Sequence, residues 1–298
     1  MCGIVGLFLK SPDLRPELGR LTALMLHEMR DRGPDSAGFA IYDAPEGAVK
    51  LSCLSKTGET DWRALETDLA AHLGAEVGVQ VIEDHAIIRT AGDGASARRR
   101  IIETAPDVTV LSVGHAIELF KGIGDPDGVS SRFRLSEFQG THAIAHTRMA
   151  TESAVTTAGS HPFSTGEDTC LVHNGSLSNH NRLRERLEAR GERFQTENDS
   201  EVAAGYLAWR MREGDSLGQA VEGAIRDLDG FYTFAIGTRE GFAVLRDPIA
   251  CKPAVIAETD DWVAMSSEFR AIAQLPGVAN AEIWEPEPAR TYSWSHAV

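Results

Sequence analysis

The 298-residue chain has few cysteines, and they are scattered: Cys2, Cys53, Cys170 and Cys251 form no CxxC pair and no zinc spacing. That argues against a disulfide framework and fits thiols kept reduced in the cytoplasm. No apolar run is long enough to span a bilayer, and the start lacks the basic and apolar regions of a secretory signal, so no membrane association is expected. Positive charge is scarce. Against 44 Asp and Glu stand 29 Lys and Arg, and the formal net charge of -15 argues against a nucleic-acid surface. The basic run Arg98-Arg99-Arg100 reads as a solvated helix face. Without a P-loop, a GxGxxG or metal-ligand spacing among its histidines, the chain is expected to hold no metal, nucleotide or flavin. Repeats and low-complexity linkers are lacking as well.

What is present is a series of short apolar segments punctuated by turns. Residues 2–9 (CGIVGLFL) read as a buried strand, and Leu18, Leu21, Met25 and Leu26 recur at helical spacing before the breakers of "DRGPD". "SAGFAIYD" alternates like a strand. Residues 47–140 have a different texture and read as a small inserted α/β block. From residue 141 the strand-like segments return, with amphipathic helices expected near 178–190 and 200–213. Strands in this number, with helices in two clusters, predict an α+β layered fold. Met25, Met29 and Met211 sit at core spacing, Cys53, Cys170 and Cys251 read as small buried hydrophobes, and His161 reads as a loop histidine.

Five patches are too polar to be core filler: "DRGPDSAG" (31–38), "HTRMATES" (146–153), "SHPF" (160–163), "LVHNGSLSN" (171–179) and "TENDSE" (196–201). Singly, each reads as a turn or a strand end facing water. In this order, behind a Cys at position 2, they resemble the class II glutamine amidotransferases, whose nucleophile is an N-terminal Cys. Cys2-Gly3-Ile4-Val5-Gly6, Arg32-Gly33-Pro34-Asp35-Ser36, His146-Thr147-Arg148, His173-Asn174-Gly175, Asn198-Asp199-Ser200-Glu201 and Ser266-Ser267-Glu268 carry the likeness, over residues 2–46 and about 141–284. Within that family, the runs "HTRMATESAVTTAGSHPFSTG" and "TENDSEVAAGYLAWRMREG" look like one narrow group, the amidotransferase-like subunits of N-methylglutamate synthase (methylamine–glutamate N-methyltransferase).

The resemblance implies an Ntn-hydrolase fold, a four-layer αββα sandwich with two antiparallel sheets over residues 1–298, the 47–140 block being inserted in it. It implies Cys2 as the nucleophile, its own α-amine as the base once Met1 is removed, and Asn174 and Gly175 as the oxyanion donors. It makes Arg148, Thr151 and Asp199 the substrate-binding residues: Arg148 suits an α-carboxylate and Asp199 an α-ammonium. Arg32 is expected to shape the loop beside the nucleophile strand. The substrate implied is glutamine or γ-glutamyl-methylamide. The expected partners are glutamate-synthase-like subunits carrying FMN and an iron–sulfur cluster. A catalytically idle glutamate-binding or structural subunit of such a complex stays open, as does the glutaminase subunit of another glutamate-synthase-like enzyme. Two positions depart from the family pattern: Met149 stands where Trp is usual and Glu152 where His is usual. A carboxylate at 152 is expected to raise the pKa of the thiol or of the α-amine by like-charge repulsion.

Overall fold

The computed structural model describes residues 2–43, 47–149 and 155–296. Every residue of β1 (Gly3–Leu9) is buried, because the strand runs between two cores. Val5, Leu7 and Leu9 enter one core while Ile4 and Phe8 enter the other. A strand covered on both faces reads as a continuous apolar run rather than an alternating one. After it come α1 (Leu18–Glu28) and β2 (Ser36–Tyr42). The next elements are β3 (Val49–Ser55), α2 (Trp62–Leu73), β4 (Val77–Ile82), β5 (His85–Thr90), α3 (Gly94–Thr104) and β6 (Val108–Gly114). They lead to β7 (Ile117–Ile123), α4 (Pro126–Arg132), β8 (His142–Arg148), β9 (Phe163–Gly166) and β10 (Thr169–Leu177). Helices α5 (His180–Glu188), α6 (Asp199–Arg212) and α7 (Leu217–Asp227) precede β11 (Gly230–Gly237) and β12 (Gly241–Arg246). The chain closes with β13 (Val255–Glu258), β14 (Trp262–Ser266), α8 (Phe269–Ile272), β15 (Glu282–Trp284) and β16 (Thr291–Ser295).

Two antiparallel sheets face each other. The first runs β15-β13-β14-β1-β8-β2-β7, the second β16-β12-β11-β10-β9. Ile4, Phe8 and Ile144 of the first meet Val172, Ala235 and Phe242 of the second in the inter-sheet core. On the outer face of the first sheet, α1 contributes Leu21 and Met25, packed with Val5 and Phe39. On the outer face of the second, Leu183, Val202 and Val221 of α5, α6 and α7 cover Leu171 and Phe234. The result is the expected αββα sandwich. The third helix of the outer layer, α7, goes beyond the two helices predicted there, although a local signal marks it. Ser216 and Gln219 form a reciprocal capping box at its start.

The four-stranded sheet β4-β5-β3-β6 has its own core of Leu51, Cys53, Leu69, Ile88 and Ile101. As a separate unit it is shorter than the 47–140 block expected: β7 completes the edge of the seven-stranded sheet, and Val129 of α4 packs into the first core. The reason is legible in β7, where Leu119 enters the inter-sheet core and Phe120 the outer one. Asp168 ties the junction down. Its carboxylate accepts from the backbone N–H groups of His115, Ala116 and Ile117 at 3.0, 2.8 and 3.1 Å. Met25 and Met29 are fully buried, as are Cys53 and Cys170. Cys251, expected inside, is exposed in the loop after β12. Among the described residues no helix is long and apolar enough to cross a membrane.

Candidate active site

The register of β1 on β8 places the thiol. Gly3 lies opposite Thr147 and Ile4 opposite His146, so Cys2 and His146 are diagonal neighbours on one face. That face also carries Ile4 and Ile144, both in the inter-sheet core. The terminus is held by more than its ladder. The Cys2 carbonyl accepts from Arg32 Nε at 3.0 Å and from Asn174 Nδ2 at 3.1 Å. Arg32 is oriented by Glu268, 2.5 Å from its Nη1. Ser267 Oγ accepts from the Ile4 N–H at 2.9 Å and from Asn174 Nδ2 at 3.1 Å, while Ser266 Oγ donates to the Ile4 carbonyl at 3.1 Å. Each bond contributes about 1 kcal/mol net. Together they explain why a chain end that would ordinarily fray is fixed. Arg32 therefore grips Cys2 itself rather than only shaping a nearby loop.

The Cys2 thiol is brought down to about 7. Burial pushes it up, but the hydrogen bond and charge of His146 outweigh that, helped by a backbone hydrogen bond at Met149. The sulfur lies 3.9 Å from the Met149 carbonyl oxygen. Glu152 lies outside the described residues, as do Met1 and Thr151.

Arg148 ends β8, buried, with Nη1 3.4 Å from the Gly159 carbonyl. The backbone of the "DRGPD" turn runs against it, and a Cβ on Gly33 would come within 2.5 Å of the Arg148 nitrogen. Asn198 Nδ2 donates to the same Gly159 carbonyl at 3.3 Å. The guanidinium thus shares an anchor with the residue that caps α6, and the next residue is Asp199. The Asp199 carboxylate accepts from the Leu177 N–H at 2.9 Å and sits at the helix N-terminus, which favours its negative charge. Gly175 lies exposed on β10 at φ +150°, where a Cβ would fall 2.0 Å from the Phe231 carbonyl oxygen. Only glycine fits there. Asn174 has both amide hydrogens engaged, on the Cys2 carbonyl and on Ser267 Oγ.

Behind the thiol lies a buried histidine cluster that the sequence reading missed. His161, expected in a loop, is 6% exposed, with its ring 4.0 Å from that of His146. Ser200 Oγ stands 2.9 Å from His161 Nε2 and 2.9 Å from His173 Nδ1, and it donates to Asp199 Oδ1 at 3.3 Å. One hydroxyl hydrogen serves Asp199, so both rings donate to the serine oxygen. That assignment accounts for the buried His161 Nδ1 and His173 Nε2, which have no hydrogen-bond partner among the described residues: they are the lone-pair nitrogens. Burial drives both histidines down, His173 to about 4 and His161 well below its usual range. The signal available was that "HTR", "SHP", "HNG" and "NDS" each set a polar residue beside a strand or helix end. No spacing told which way each ring would face.

Comparison with known proteins points to one family. Residues 146–274 match the family profile described as the glutamine amidotransferase domain. The chain is 54% identical to the glutamine amidotransferase-like protein GlxB of Rhizobium meliloti (strain 1021), over 99% of each chain. It is 40% identical to the glutamine--fructose-6-phosphate aminotransferase [isomerizing] of Vibrio vulnificus (strain YJ016) over 42% of this chain and 20% of that protein. The solved glutamine phosphoribosylpyrophosphate amidotransferase from B. subtilis superposes with a TM-score of 0.64 at 22% identity, covering 99% of this chain and 47% of that one.

Proposed function

We propose, from the premise that this chain belongs to the glutamine amidotransferase family, that it is the amidase subunit of an N-methylglutamate synthase-type complex. Its reaction is cleavage of a γ-glutamyl amide through a Cys2 thioester, with the released amine passed to a flavin-containing partner subunit. The observation that carries the amidase part is the thiol: held at about 7, fixed at the end of a buried strand, and adjoining Asn174. At neutral pH roughly half of such a thiol is thiolate, the nucleophilic form. The γ-carbonyl carbon takes the sulfur electron pair, and the displaced C=O pair collects on oxygen.

Asn174 and the Gly175 N–H are the donors for that oxygen, each worth about 2.7–4 kcal/mol to the transition state. Arg148 holds the substrate α-carboxylate, Asp199 the α-ammonium, and Thr151 completes the binding set. The narrower assignment rests on the sequence runs around Arg148 and Asp199. It makes the substrate glutamine or γ-glutamyl-methylamide, and it puts FMN and an iron–sulfur cluster in the partner subunits. A second reading, an idle glutamate-binding subunit, draws on one observation. Both Asn174 amide hydrogens are already engaged, so the side chain must let go of the Cys2 carbonyl or of Ser267 before it can serve an oxyanion.

Incubation with a γ-glutamyl chloroketone, followed by peptide mass spectrometry, separates the two. Covalent modification of Cys2 that glutamine suppresses is expected, and turnover of a γ-glutamyl amide should vanish in Cys2→Ala. An unlabelled Cys2 in the assembled complex refutes the amidase. Equal synthase activity of Cys2→Ala with free methylamine refutes the amine-transfer role.

A further inference from the structure

We propose that the cleft between the inserted sheet and β9 binds a small phosphomonoester, with the phosphate held at the N-terminus of α3. The site shares no residue with the set around Cys2 and does not rest on the amidase reading. A cavity of about 300 Å³ lies there, within the size range of small-molecule sites. Gly94 and Ala95, the first two residues of α3, form part of its wall, and Arg98 follows one turn on. Strand β6 contributes Ser112 and β9 contributes Thr165.

The wall offers donors that the protein itself leaves unused. Asp93 caps α3: its carboxylate accepts from the Ser96 N–H at 2.8 Å and its carbonyl from the Ala97 N–H at 3.0 Å. That leaves the N–H groups of Gly94 and Ala95, at the positive end of the helix dipole, without a partner among the described residues. Arg98 has neither an ion pair nor a hydrogen bond among the described residues, whereas Arg100 on the same helix is held by Asp68 at 2.8 Å. A second, independent sign comes from the strands. Ser112 is only 2% exposed, and its Oγ has no hydrogen-bond partner among the described residues; Thr165 Oγ1 is buried and unpartnered as well. An unpaired buried hydroxyl is destabilising, and a ligand oxygen relieves it. The acidic residues of the wall are already engaged, Asp93 in the cap and Glu167 with Arg239 at 3.0 Å.

The donor set selects the ligand class. Two backbone N–H groups, a guanidinium fork and two hydroxyls exceed the roughly four lone-pair sites of a carboxylate. The three terminal oxygens of a phosphomonoester can take them all. The remaining wall is apolar, with Val49, Val110, Leu111 and Val113, which suits an organic body rather than a bare phosphate ion.

Calorimetric titration of the full chain with phenyl phosphate, inorganic phosphate and benzoate tests the site, and the backbone amide resonances of Gly94 and Ala95 locate the binding. Phenyl phosphate is expected to bind at least about tenfold more tightly than either of the other two, and to shift both amides. Arg98→Gln should weaken it about 10- to 150-fold. Arg99→Gln removes the same charge from an exposed neighbour and should change it less than about twofold. Ser112→Ala should weaken it about 2- to 10-fold without lowering the Tm of the unliganded chain, because no bond within the protein is lost.

No saturable binding of phenyl phosphate below about 10 mM overturns the proposal. So do amides of Gly94 and Ala95 that stay in place, equal losses in Arg98→Gln and Arg99→Gln, or a Ser112→Ala chain that binds as before. Benzoate or inorganic phosphate binding as tightly as the ester overturns the assigned class.

Discussion

Lowering the pH should destabilise this protein well before its carboxylates are protonated. His142 and His173 are buried and neutral, held at about 3 and about 4 against about 6.5 in an unfolded chain. Burial is the main cause for each. His142 is stacked 4.3 Å from Tyr42, with Nε2 donating to the Thr238 carbonyl at 2.8 Å, so the ring has no room for hydration. Between the folded and unfolded values the folded chain binds fewer protons. The stabilisation is therefore complete above about pH 6.5 and drains away as pH falls. Each such group costs about 1.4 kcal/mol per pH unit once well below 6.5, or about 2 kcal/mol at pH 5. The pair costs about 4 kcal/mol at pH 5, and His161, shifted in the same direction, adds to it. Against a typical total of about 5–15 kcal/mol, that is a large share. Urea unfolding at pH 7.5, 6 and 5 measures it, provided the slope with urea stays constant. His142→Gln keeps an amide donor for Thr238 while removing one titrating ring, and should return about 2 kcal/mol of the loss at pH 5. A stability that is flat from pH 7 to pH 5, or a loss that His142→Gln leaves untouched, would refute the burial argument.

Lys121 is buried and donates to the carbonyls of Ala158, Ser160 and Pro162 at 2.9, 2.9 and 3.4 Å, so it staples the segment whose Gly159 carbonyl anchors Arg148. Lys121→Met should lower stability by about 1–3 kcal/mol through the orphaned carbonyls. It should raise KM for the γ-glutamyl substrate about tenfold with kcat nearly unchanged, since about 1.4 kcal/mol of uniform binding is lost; an unchanged KM counts against the staple. Ser267→Ala removes the acceptor for the Ile4 N–H and one partner of Asn174. Thermal unfolding should report a loss of about 1–3 kcal/mol, and kcat should fall more than KM rises; an unaltered kcat would mean that Asn174 is held well enough without it.

Much of the fold was legible because the sequence signals were local. The run 2–9, the breakers at 31–35 and the spacing of Leu18, Leu21, Met25 and Leu26 each prescribe a strand, a turn or a helix without reference to the rest of the chain. The limits of the insert were less legible. β7 follows β6 after a short turn, and both are apolar; only their partners, β3 for one and β2 for the other, separate them. Cys251 went wrong for a related reason: a cysteine beside a proline-rich turn carries no signal of which side it faces.

The site divides along the same line. Cys2, Arg148, Asn174, Gly175 and Asp199 are named by the family resemblance, and a terminal thiol, a forked cation, an amide, a glycine and a carboxylate each suit a chemistry that a γ-glutamyl amide calls for. The histidines were not, because the chemistry of a histidine is decided by its neighbours. His146 lies in "HAIAHTR", a strand buried on both faces, whose alternation cannot say which residues meet the thiol. That is set by the pairing Ile4↔His146, a contact between positions 142 residues apart in the chain. Its tautomer is set in turn by Asn174 and the His173 carbonyl, which arrive from the opposite sheet. The surroundings of the thiol are thus a product of two sheets closing on each other. A nucleophile can be read from one residue and its position, whereas its activation requires the sandwich to be built first.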